Sequence, residues 1–395
     1  MDAAQTTLSK RILSIDILRG LVMIIMALDH TRDFFHVGAM TGDPLNPDTT
    51  TGMLFFTRWI THFCAPTFVF LSGLSAYLSA QSRTSSVASS FLLKRGLWLI
   101  FVELVIITFG LTFNPGYNFI ILQVIWAIGT SMIFLAIFSR LSHKTVLVIG
   151  LLLVFGHNLF NLFPAPADSN GGLVLKVFFT ASGTVVPISG NHFIYVFYAI
   201  LPWTGIMFIG YGVGAWYKKG YAAARRQRNL FIAGLFAILV FISLRLINIY
   251  GDPVPRKEYH DLFKNLLAFF NVAKYPPSLL YASMTLGPAM LFLAVTENLS
   301  NWFTKVTSVY GAVPFFYYVI HFYLLHTILV IVFFATGHHT KEIVQVPFFF
   351  RPAAFGFSLP IVYLIWFGVI ASLYLPCRWF KKYKQTHRQW WLRYV

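Results

Sequence analysis

Apolar residues run through the chain in blocks of roughly twenty, the length that carries a helix across the hydrocarbon of a bilayer. Short polar segments separate the blocks. Ten are legible, at residues 13–37, 53–80, 95–113, 117–139, 144–163, 192–217, 229–250, 276–297, 310–336 and 355–376. The pattern predicts an all-α fold, a polytopic transmembrane helical bundle of about ten spans. No internal repeat, low-complexity tract or soluble segment interrupts it, so the chain reads as one integral-membrane domain over residues 1–395. The two longest outer segments, 164–191 and 251–275, read as a cap over one face.

Composition agrees with this pattern. The chain is 57% hydrophobic and only 11% charged, too few charges to cover a soluble globule. Cys64 and Cys377 cannot build a disulfide framework, and neither has a partner at metal-ligand spacing. The net charge of +17 would suggest nucleic acid in a soluble protein. Here it reports orientation, because the segments on one side of the ten blocks carry 20 Lys and Arg and those on the other carry 8. That asymmetry predicts both termini in the cytoplasm, with the lipid bilayer and not nucleic acid as the partner. Lys10 and Arg11 ahead of an apolar run imitate a signal peptide. No small-residue cleavage site follows, and Asp29 and His30 interrupt the run, so it reads as a retained first span.

Ionisable residues inside spans are expensive, so each is a candidate for function. The first span holds the densest set. Asp16 and Arg19 are i,i+3 neighbours that can pair, and Gly20 permits close helix approach. His30 lies roughly 25 Å along this helix, near the outer interface. Asp29 with Arg32, and His30 with Asp33, are further i,i+3 pairs, and a carboxylate beside a histidine raises its basicity. In the second span Arg58 and His62 fall at the same depth, and Arg58 is expected to pair with Asp29 or Asp33. His62 reads either as a second site residue or as a packed, hydrogen-bonded one. The expected catalytic set is therefore His30, Asp33, Asp29, His62 and Arg58.

Arg32, Gln123, Trp126, Lys274, Tyr275 and His321 stand near the same level as expected substrate contacts. His321, four residues after Tyr317 and mid-membrane, equally suits an interhelical hydrogen-bond ladder. Glu103 needs a buried partner, either Arg95 by snorkelling or a group on another span. No HExxH occurs and His30 and His36 share no helix face, so no metal is expected. There is no P-loop, GxSxG or GxGxxG. Two classes remain: an enzyme with an outer-leaflet site, or a transporter of a small anionic or polar solute using the same residues. The absence of a repeat and the position of the cluster near one face favour the enzyme.

The stretches Arg11-Ile-Leu-Ser-Ile-Asp16-Ile-Leu-Arg19-Gly20 and Met26-Ala-Leu-Asp29-His30-Thr-Arg32-Asp33 carry a resemblance. So do Phe56-Thr-Arg58-Trp-Ile-Thr-His62-Phe-Cys-Ala-Pro66, Leu122-Gln123-Val-Ile-Trp126, Leu201-Pro202-Trp203, Lys274-Tyr-Pro-Pro-Ser278 and Tyr310 through His321. Together they resemble the bacterial membrane family grouped with heparan-α-glucosaminide N-acetyltransferase. Ile-Asp-x-Leu-Arg-Gly followed by His30 also resembles the first span of the broader membrane acyltransferase superfamily.

The resemblance implies transfer of an acyl group, typically acetyl, from cytoplasmic acetyl-CoA to a hydroxyl or amine across the membrane. It implies His30 as general base or acyl carrier, oriented by Asp33 or Asp29, with Arg58, His62 or Gln123 on the oxyanion. Lys94 and Arg95, with Arg19, are the implied partners of the CoA phosphates. In the eukaryotic lysosomal members the histidine lies between spans 1 and 2, and the 38–52 loop here has none. The implied acceptor is therefore an extracytoplasmic glycan, lipid-linked sugar or small metabolite, the location a bacterial inner membrane, and a homodimer one expected assembly.

Overall fold

A computed structural model describes residues 12–162, 170–180, 183–344 and 347–394. Lys10 and Arg11, and residues 164–169 and 181–182 of the expected 164–191 cap, lie outside the described residues. The described residues are 71% helical and 5% strand. Among them six helices are long and apolar enough to cross a membrane, by length and composition.

The first helix, α1, runs Leu13–Phe35 and packs at the centre of the bundle. It is not one of the six, because Asp16, Arg19, Asp29, Arg32 and Asp33 interrupt its apolar face. Next comes α2, Gly52–Ala80, tightened by a 3₁₀ turn at Thr61–Phe63. Helix α3, Ser85–Val102, continues through a π-helical turn, Glu103–Ile107, into Thr108–Thr112.

Two of the expected spans do not begin as helices. Phe119–Leu122 forms strand β1 before helix α4, Val124–Phe138. His192–Val196 forms strand β3 before helix α6, Ile200–Gly214. Strand β2, Thr184–Ser189, completes a sheet of order β1-β3-β2, with β1 parallel and β2 antiparallel to β3. The all-α expectation is corrected to this extent. The reason is local: an apolar run of four or five residues has no period that separates strand from helix, and β-branched Ile and Val favour the pleat once a neighbour can pair.

Helix α5, His143–Gly156, lies between these units. After them come α7, Ala223–Ile247, α8, Leu262–Phe270, and α9, Leu279–Thr296. The expected span 310–336 is two helices, α10, Trp302–Ala312, and α11, Pro314–Ala335. The helix breaks at Val313, and Pro314, which has no N–H to donate, starts the next one. The last helix, α12, Leu359–Thr386, runs well past the expected end at 376.

Close backbone contact binds α1 to α10. A Cβ on Gly20 would sit 1.8 Å from the Thr307 carbonyl oxygen, and one on Gly311 would sit 1.8 Å from that of Asp16. Only glycine fits at either place, which is how small residues join helices where lipid supplies no hydrophobic drive. At the rim, Leu152, Phe236, Leu246 and Leu364 are exposed on α5, α7 and α12, an apolar surface suited to lipid.

Candidate active site

The site is built around the outer half of α1. Arg58 on α2 donates to Asp29 at 2.5 Å. Arg32 donates to the other oxygen of Asp29 at 3.1 Å and to Asp33 at 2.6 Å. These four groups form one alternating network in which each buried charge has an opposite partner, as a buried ion needs. Further in, Asp16 and Arg19 pair at 3.2 Å, and Arg19 also donates to the Gly311 carbonyl and to Ser75.

His30 is not part of the carboxylate network. Its Nδ1 lies 2.6 Å from Nε2 of His321 on α11, and its ring stacks on Phe322 at 4.4 Å between centroids. His321 Nδ1 in turn lies 3.2 Å from the Tyr317 carbonyl oxygen. A carbonyl can only accept, so His321 carries its proton on Nδ1 and its Nε2 is an acceptor. His30 must then donate through Nδ1. Its Nε2 keeps a lone pair and has no hydrogen-bond partner among the described residues. The expected orientation of His30 by Asp29 or Asp33 is corrected: the group at its Nδ1 is His321.

Glu103 sits on the π turn with no solvent exposure. Its carboxylate accepts from the backbone N–H of Gln123 at 3.3 Å and of Trp126 at 3.0 Å. The partner that the sequence demanded is thus the unsatisfied N-terminus of α4, a favourable place for negative charge. The arrangement fixes Gln123 where β1 ends and α4 begins.

Three cavities follow α1 from end to end. The outer one, about 420 Å³, is lined by Asp29, His30, Asp33, Arg58, Gln123, Lys274 and Tyr275. Its remaining wall is largely aromatic, with Phe34, Phe119, Tyr195, Phe197, Tyr198, Phe322 and Phe348. The inner one, about 310 Å³, is lined by Arg19, Arg95 and Lys384 with Ser72, Ser75 and Ser79. A narrow apolar space of about 90 Å³ shares Arg19 and Arg95 with the inner cavity and reaches Val124 and Tyr318. Val124 adjoins Gln123 of the outer cavity, and the Tyr318 ring stands edge-on to His30 at 6.5 Å. The narrow space thus ends at Tyr318, whose ring contacts His30.

Four expected site residues lie elsewhere. His62 is 2% exposed and donates through Nδ1 to the Arg58 carbonyl, while its own carbonyl accepts from Tyr281. Trp126 packs against β1 and its neighbours and lines none of the three cavities. Arg32 is buried behind the carboxylates it holds. Lys94 is exposed and lines neither inner space. Residues that the sequence reading missed include Tyr318, Phe322 and Lys384. The i,i+3 spacing of Tyr318 to His321 was a signal that could have found the first.

Among the described residues no group of three His, Cys, Asp or Glu side chains could hold a metal. The family model described as heparan-alpha-glucosaminide N-acetyltransferase, catalytic, matches residues 11–251, more than half of the chain. The match takes in α1 through α7 and so His30, Arg58, Arg95 and Gln123; Lys274, Tyr318 and His321 lie beyond it. No curated protein matches the chain. The central charged helix, the helices apolar enough for a membrane and this match together place the chain in the heparan-α-glucosaminide N-acetyltransferase family of membrane acetyltransferases.

Proposed function

We propose that the protein moves an acetyl group from acetyl-CoA, taken up at the inner cavity, to a hydroxyl or amine of a sugar or envelope metabolite held in the outer cavity. The observation that carries this reading is an aromatic cavity lined by His30 beside a narrow apolar space that ends at Tyr318, next to His30, and shares Arg19 and Arg95 with a basic inner cavity. Arg19, Arg95 and Lys384 suit the donor's phosphates, since guanidinium and ammonium groups bind phosphate oxygens strongly. Arg19 and His30 are eleven residues apart on α1, about 16 Å along the axis, within reach of an extended pantetheine arm. The apolar passage suits that thin arm and not the nucleotide. Aromatic walls with a few fixed polar groups suit the ring of a sugar.

His30 supplies the base. Its Nε2 takes the proton from the acceptor's O–H or N–H as the acceptor's lone pair forms a bond to the thioester carbon. The carbonyl π pair moves to oxygen; when it returns, the C–S bond breaks and the sulfur takes the proton back from Nε2. The Gln123 amide faces the same cavity and can donate to the oxyanion. Asp29 and Asp33, held by Arg32 and Arg58, keep the outer end of α1 fixed. With both termini cytoplasmic, in a bacterial plasma membrane, the donor side faces the cytoplasm and the acceptor side the exterior.

Calorimetry of the detergent-purified protein tests the reading. Acetyl-CoA should bind, less tightly without its 3′-phosphate and less tightly to Arg95→Gln. Radiolabelled acetyl should pass to glucosamine as a trial acceptor, and His30→Ala should abolish transfer while binding persists. A folded protein that binds no acyl-CoA, yet moves a solute across proteoliposomes without covalent product, would refute it in favour of transport.

A further inference from the structure

The Tyr318 hydroxyl is buried and has no hydrogen-bond partner among the described residues, while its residue is 4% exposed. Leaving a buried hydroxyl unpaired is costly, so such a group in a folded protein asks for an explanation. The hydroxyl of neighbouring Tyr317 is also unpaired, but that ring packs between Tyr310 and His321 and lines none of the cavities described above. Tyr318 differs in its position. It lines the narrow passage from the inner side, and its ring stands edge-on to both His30 and Phe322, which line the outer cavity. It therefore stands between the narrow space and the outer cavity.

We propose that Tyr318 is a catalytic residue whose O–H donates to the carbonyl oxygen of the donor thioester. The inference rests on the acyl-transfer reading and adds a residue to it. A thioester threaded through the passage comes to Tyr318 before it comes to His30. The acceptor comes from the other side, with its proton directed to His30 Nε2. The carbonyl carbon then lies between the base and a neutral donor. When the acceptor's lone pair forms the new bond, the displaced π pair on oxygen is held by the Tyr318 O–H; when the pair returns, the C–S bond breaks and the sulfur leaves with the proton from His30. A buried donor with no partner among the described residues makes this bond without first giving up a bond to another of them, which is where preorganised hydrogen bonds contribute most. The unpaired hydroxyl is thus a stability cost retained at a reacting position.

Tyr318→Phe tests this, because it removes only the oxygen and keeps the ring. The first readout needs no acceptor: the infrared carbonyl band of bound acetyl-CoA labelled with ¹³C at the thioester carbon. In the native protein the band should shift to lower frequency relative to free donor, and the shift should be lost in Tyr318→Phe. Turnover with glucosamine should fall about 10²–10³-fold in kcat, the usual loss for one oxyanion donor, with KM for acetyl-CoA little changed. Thermal stability should hold or rise, since an unpaired buried hydroxyl is gone. The same carbonyl band in both proteins, or a variant that melts lower and loses donor binding, overturns the inference alone. A folded native protein that binds no acetyl-CoA overturns the acyl-transfer reading, and the inference with it.

Discussion

Replacing His321 by Phe removes the acceptor for His30 Nδ1 while keeping a ring of similar size in a fully buried position. The perturbation has two parts. In the resting state a buried N–H loses its partner, at about 1–3 kcal/mol. In the proposed transfer His30 becomes an imidazolium as the acceptor is deprotonated, and a hydrogen bond from a charged donor is roughly twice as strong as a neutral one. The loss therefore falls mainly on the transition state and should appear in kcat and not in KM. At about 1.4 kcal/mol per factor of ten, the fall should be about 5- to 150-fold. It should be smaller than the effect of removing His30 itself, because the base remains. His321→Gln places an amide oxygen near the same point and should recover most of the rate. The assay is steady-state acetyl transfer in detergent, paired with ¹⁵N spectra of labelled histidine to report which nitrogen of His30 is protonated. Native protein should show the proton on Nδ1, and His321→Phe a mixture of tautomers. Unchanged kcat with an unchanged tautomer in His321→Phe would refute the reasoning, as would a Gln variant no better than the Phe one.

Three further outcomes follow from the packing and the outer loops. Gly311→Ala pushes a methyl group to 1.8 Å from the Asp16 carbonyl oxygen and must part α1 from α10; melting temperature in detergent should drop by an amount matching at least the 1–3 kcal/mol usual for overpacking. Glu103→Gln leaves one carbonyl oxygen for the N–H groups of Gln123 and Trp126; it should lower melting temperature and reduce transfer while donor binding persists. Hydrogen bonds from Lys264 and Lys257 hold the Asp48 carboxyl below the usual carboxylate range. A depressed carboxyl stabilises the fold above its unfolded value and loses that contribution as pH falls through its folded value. Hydrogen exchange around Asp43–Thr51 should therefore quicken on acidification, and Asp48→Asn should remove that dependence without changing the overall melting temperature, because the pairs are exposed.

The polar half of the site was legible where contacts are local or share a depth. Asp16 with Arg19, and Asp29 with Arg32, are one turn apart, so helix geometry alone pairs them. Arg58 with Asp29 follows from two charges at the same level in neighbouring helices. What stayed hidden depends on backbone breaks. The expected span 310–336 is broken at Val313, and His321 lies on α11, which starts afresh at Pro314, a break that the continuous apolar run does not show. The partner of Glu103 is a set of backbone N–H groups freed where β1 gives way to α4, and no side-chain pattern announces them. The sheet was hidden because its strands are too short and apolar to show a period. His62 stood open between a site residue and a packed, hydrogen-bonded one, and it is the packed one, its ring on the Arg58 carbonyl.

The Arg58 to Asp29 pair also bears on biogenesis. The first helix is translated before the second, and its outer half carries Asp29, Arg32 and Asp33. Each unpaired charge at the centre of a lone helix costs about 2.5–3.5 kcal/mol on insertion scales. Near the outer interface these groups can stay hydrated, and Arg32 covers part of the cost, but Asp29 gains its second cation only when α2 emerges with Arg58. The two helices must therefore settle into lipid as a hairpin, with the residues of the site acting as the clasp. A ribosome stalled before Arg58 should leave α1 loosely held and extractable at high pH, and one stalled after Ala80 should leave it firmly inserted. On this reading the ion pair beside the candidate site also joins the first two helices as they enter the membrane.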